Sequence, residues 1–68
     1  MTSTSDRVEL STLRAQVEDL VERITPIVER YGESSDSAIA NDLFAVERAL
    51  LSAGRALDQA VGHLESSS

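Results

Sequence analysis

Apolar side chains recur along this chain at alternating steps of three and four. Leu10, Leu13, Val17, Leu20, Ile24, Ile27 and Tyr31 form one series. Ile39, Leu43, Val46, Leu50, Ala53, Leu57, Ala60 and Leu64 form a second. Such spacing keeps one stripe of a helix apolar for its whole length and predicts two helices of coiled-coil type. With Leu10 and Leu43 taken as heptad position a, both series occupy positions a and d. Val21 and Val28 then fall at e on the first helix, and Ala40, Gly54 and Val61 at e on the second. The second helix also carries Phe44 and Leu51 at b.

The punctuation between these runs sets the element bounds. Asp6 with Glu9 three residues on makes a capping-box-like start, so the first helix is predicted over about residues 7–31. Residues 1–5 are read as a polar, disordered tail. Pro26 falls on the outer face, where it frees the carbonyl of Glu22 and is expected to kink the helix without shifting its apolar phase. Gly32 suits a left-handed helix end, and residues 32–36 form a short polar turn in which Ser35 or Asp36 caps the next helix. The second helix is predicted over about 37–64, with residues 65–68 as a frayed end.

A turn this short makes the helices antiparallel neighbours. The two seams then meet in layers: Leu10 with Ala60, Leu13 with Leu57, Val17 with Ala53, Leu20 with Leu50, Ile24 with Val46, Ile27 with Leu43, Tyr31 with Ile39. Arg30 and Asp42 are expected to pair across that seam. The fold class is all-α, an antiparallel two-helix hairpin.

One neighbour cannot cover all the apolar rows of the second helix. The side carrying Val21, Val28, Ala40, Phe44, Leu51, Gly54 and Val61 is therefore expected to bind a partner. The opposite flank, with Gln16, Arg23, Arg30, Asp42, Ala49, Ala56 and His63, is mixed and mostly polar or small, and is expected to be wet. An apolar flank on the order of 500 Å² per copy is at the upper end of what monomers expose. Burying it on two copies gives roughly 25 kcal/mol of gross hydrophobic stabilisation, against association costs of ~4–15 kcal/mol. A homodimer forming a four-helix bundle is the simplest outcome.

Composition narrows the function further. With 68 residues and no Cys, the chain is one small domain that no disulfide or thiolate metal site can staple. Twelve acidic against six basic residues give a formal charge of −6, which disfavours nucleic acid and anionic membrane surfaces as partners. All six basic residues are Arg, a pattern that fits the codon usage of a GC-rich bacterial genome. No apolar run reaches the ~20 residues of a membrane span. The opening Met1-Thr2-Ser3-Thr4-Ser5-Asp6 lacks the basic and apolar regions of a secretory signal, so a cytoplasmic location is expected.

No constellation for chemistry emerges. His63 stands alone as the one histidine and is read as a helix-end surface residue. Glu18, Asp19 and Glu22 fall on the outer face, without the Glu-x-x-His pattern of a di-metal bundle. Ser34, Ser35 and Ser37 are explained by turn and cap chemistry rather than by phosphorylation. No catalytic, cofactor-binding or metal-binding residue is assigned, and an enzyme is not expected. Gly54 reads as a notch for close approach by another helix. A small-molecule cavity near Pro26, Tyr31 and Phe44 is a minor reading, because no convergent polar groups are expected there. The chain is similar in outline to short bacterial helical hairpins, a resemblance that implies no activity. The favoured reading is a non-enzymatic interaction protein that self-associates; the alternative is a hetero-binding adaptor that captures a helix of another protein on the same flank.

Overall fold

The computed structural model of the chain describes residues 2–33 and 37–67. Two helices, α1 (Thr2–Gly32) and α2 (Ser37–Ser67), pack along each other as an all-α hairpin whose Cα trace extends 52 × 15 × 12 Å. Both helices outrun their predicted bounds. α1 begins five residues before Arg7, because neither Gly nor Pro interrupts the chain ahead of Asp6. α2 runs on through Glu65, whose carboxylate lies 3.9 Å from Arg7 Nη1 on α1. The predicted caps Ser35 and Asp36, and Ser34 beside them, lie outside the described residues.

α1 continues through Pro26. Pro26 supplies no N–H to the carbonyl of Glu22, and the residue before it makes two side-chain contacts. Thr25 Oγ1 lies 2.8 Å from the Val21 carbonyl and 3.1 Å from Glu47 Oε2 on α2. The one hydroxyl hydrogen serves either acceptor, so Thr25 ties its own turn to the opposite helix. Gly32 belongs to the last turn of α1, and no described residue has a left-handed backbone. A Cβ at Gly32 would meet Phe44 Cζ at 3.7 Å, an ordinary contact. Gly32 is therefore a helical residue under the Phe44 ring rather than the predicted left-handed end.

The predicted hairpin and its antiparallel sense are present, but the helices meet on a different stripe. The two most buried hydrophobic side chains are Val28, 4% exposed, and Ala40, 7% exposed. On α1 the half-buried positions include Arg7, Leu10, Arg14, Val17, Val21, Ile24 and Thr25; on α2 they include Leu43, Glu47, Leu50, Gly54, Leu57, Ala60, Val61, Gly62 and Leu64. Most of these are positions a and e rather than a and d, although Ala60 at d is half-buried too. At 100° per residue, each helix is turned by about 50° from the predicted seam.

Two features explain that turn. Position e carries the small residues Ala40 and Gly54, and a Cβ at Gly54 would meet Val17 Cγ1 at 3.7 Å, an ordinary contact, so the seam passes over these positions without strain. Position e also carries the groups that fasten the edge. Arg14 Nε lies 3.0 Å from Asp58 Oδ1 across the hairpin, while Arg14 Nη1 donates to Glu18 Oε1 at 3.2 Å within α1. The a/d layers would set Arg14 level with Ala56; the turned helices set it against Asp58 instead. Arg30 and Asp42, expected to pair across the seam, are both exposed and form no ion pair with each other, because the turn carries position g outward.

Candidate interaction surface

The turn changes the characters of the two flanks. The flank that holds positions e and b was expected to be the sticky one. Three polar contacts bridge it, Arg7–Glu65, Arg14–Asp58 and Thr25–Glu47, and a shallow depression lined by Val17, Val21, Leu50, Leu51 and Gly54 stays open there. Of the residues expected to bind a partner there, Val28 and Ala40 are buried in the hairpin's own seam, and Val21, Gly54 and Val61 are half-buried along it. Gly54 faces Val17 of α1, so the notch read from the sequence is occupied within the chain. Phe44 and Leu51 alone remain exposed on that side, at 39% and 45%.

The residues expected on the opposite, wet flank are exposed, and most of the d row, expected in the seam, is exposed beside them. That flank thus carries the d row of both helices: Leu13, Leu20 and Ile27 on α1, with Ile39 and Val46 on α2, all exposed large hydrophobics. Leu20, Ile24, Ile27, Val46 and Leu50 line a shallow groove there, with Arg23 at its rim. Arg23 leans along its own helix toward Asp19 Oδ2, at 3.7 Å, which leaves the groove floor apolar. Period 3.5 marks a, d and e alike as apolar. The small residues at e, together with the acids that lie opposite Arg14 and Thr25, are the signal in the sequence that sends e inward.

This flank matters because the hairpin by itself encloses little. Among the described residues no side chain is fully buried, and the accessible surface is 5018 Å². A compact monomer of 7.3 kDa has an expected surface of about 4,200 Å². The excess of roughly 850 Å² equals what one partner contributes to a standard protein–protein interface, about 800 Å².

The remaining candidate chemistry is dispersed. His63 is exposed at the open end of the hairpin, where it lines a depression with Asp6, Glu9, Leu10, Ala60 and Leu64. Glu18 and Asp19 are exposed and each meets an Arg one turn away along α1. Among the described residues, no group of three or more His, Cys, Asp or Glu is placed to hold a metal ion. A depression near Pro26 and Phe44 is lined by charged groups, Glu29, Arg30, Glu33 and Glu47, where no convergent polar groups were expected. It is open to solvent, and Tyr31 is not part of its lining. No described helix is long and apolar enough to cross a membrane.

Comparison with protein-family models, with curated proteins and with solved structures returned no match. The surface itself therefore carries the functional reading.

Proposed function

We propose that this chain is a non-enzymatic interaction protein, an acidic helical hairpin that self-associates through its open d-row flank into a four-helix bundle. The observation that carries this reading is the row of Leu13, Leu20, Ile27 and Val46, exposed on one side of a hairpin whose other side is fastened by polar groups. The excess surface matches one partner's share of a standard interface. The geometry of a bundle fits as well. Position d lies about 80° around each helix from the a/e seam, close to the right angle between the two contacts that each helix makes in a square four-helix arrangement. Sedimentation equilibrium across micromolar concentrations is expected to give twice the chain mass. A monomer at tens of micromolar would overturn the reading.

A second reading, capture of a helix from another protein, is favoured by Phe44 and Leu51. They stay exposed on the flank that self-association leaves outside. The charge of −6 favours a basic partner helix. A heteromeric complex recovered from cells and lost in Phe44→Asp, while the dimer persists, is the result expected of this reading.

A further inference from the structure

We infer that the two copies join about a two-fold axis running along the bundle, turn beside turn, so that each α1 lies over the partner's α2. This deepens the self-association reading and rests on it. Two observations select this arrangement over the one with turns at opposite ends.

The first is side-chain size. The d row of α1 is large throughout, with Leu13, Leu20 and Ile27, whereas the corresponding face of α2 is mostly small, with Val46, Ala49, Ala53, Ala56 and Ala60. When the turns share an end, the hairpin's own levels carry over to the partner. Leu13 then comes level with the partner's Ala56 and the partner's Ala60, and Leu20 with the partner's Ala49 and the partner's Ala53. Large side chains meet small ones on both sides of the axis, and the four helices keep one spacing. When the turns lie at opposite ends, α1 must cover the partner's α1, Leu against Leu. The two α2 helices then meet Ala against Ala, and one interface cannot be both wide and narrow.

The second observation is charge. Arg30 and Asp42 occupy outward g positions near the turn, are exposed, and do not pair within the chain. Turn beside turn, Arg30 comes level with the partner's Asp42, and the symmetry repeats the contact. With the turns apart, these two residues stand at opposite ends of the assembly.

The chain contains no Cys, so Glu33→Cys places a single spin label beside the turn. Pulsed dipolar spectroscopy is expected to find the two labels of a dimer within about 25 Å, a few helix spacings. A distance near the 52 Å length of the hairpin would overturn the orientation and leave self-association standing. No dipolar coupling, together with a monomeric mass, would overturn both. Charge exchange gives an independent measure. Arg30→Glu or Asp42→Arg alone is expected to weaken the dimer about five- to ten-fold, the two contacts acting together. The combined variant keeps the net charge and is expected to recover to within about two-fold of the unaltered chain. Failure of the combined variant to recover would overturn the Arg30–Asp42 contact and the orientation drawn from it.

Discussion

Leu20→Ala tests where the hairpin keeps its unspent apolar surface. Leu20 sits mid-way along α1 on the open flank and is 44% exposed. Complete burial of a Leu side chain is worth about 1.5–3 kcal/mol, so covering the exposed part is worth about 0.7–1.3 kcal/mol per chain. A two-fold assembly doubles this. After allowing for the carbon that Ala retains, the dimer is expected to lose about 1–2 kcal/mol, or about 5- to 30-fold in dissociation constant. Sedimentation equilibrium measures that change. Far-UV circular dichroism above both dissociation constants checks that the helices persist. Val8→Ala is the control, because Val8 is 59% exposed but lies at position f, about 160° around α1 from the d row. An unchanged dissociation constant for Leu20→Ala, or an equal loss for Val8→Ala, would refute the placement of the interface on the d row.

Other expectations concern the hairpin itself. Val28→Ala removes two methyl groups from one of the two most buried sites and is expected to cost roughly 2 kcal/mol of folding stability in urea titrations at fixed protein concentration. Gly54→Ala and Gly62→Ala are expected to stabilise by about 0.4–1 kcal/mol each. A Cβ at Gly54 meets Val17 at an ordinary distance and one at Gly62 meets nothing within 4 Å, so helix propensity decides. Destabilisation by Gly54→Ala would show that the seam is tighter there than the 3.7 Å contact implies. Because folding and association are linked, the melting temperature of the unaltered chain is expected to rise with concentration in calorimetry.

Much of the fold was legible in the residues. The three-and-four spacing from Leu10 to Tyr31 and from Ile39 to Leu64 specifies two helices, and the short polar stretch between them specifies an antiparallel pair. The levels were close too: Arg14 was expected near Ala56 and lies against Asp58, half a helical turn away. The rotation of each helix was not read correctly. Three adjacent rows are apolar, and a pattern of apolar positions cannot say which two a single neighbour will cover. The choice rests on volumes and edge contacts. Ala40 and Gly54 are small, and with e facing in, Arg14 and Thr25 reach Asp58 and Glu47 across the hairpin. The candidate surface suffered most, since a turn of about 50° is enough to carry position e inside and bring the d row out. Phe44 and Leu51 stayed exposed because position b lies far enough around α2 to escape the seam in either orientation.

That position has an outcome for valency. Rows b and d stand about 160° apart around α2, so joining along d leaves each copy's Phe44 and Leu51 on opposite outer sides of the assembly. The bundle is then a two-headed connector. A molecule with one binding segment would be held at each side, whereas a molecule or lattice with two would be gripped twice, the second grip strengthened by local concentration rather than by any new contact.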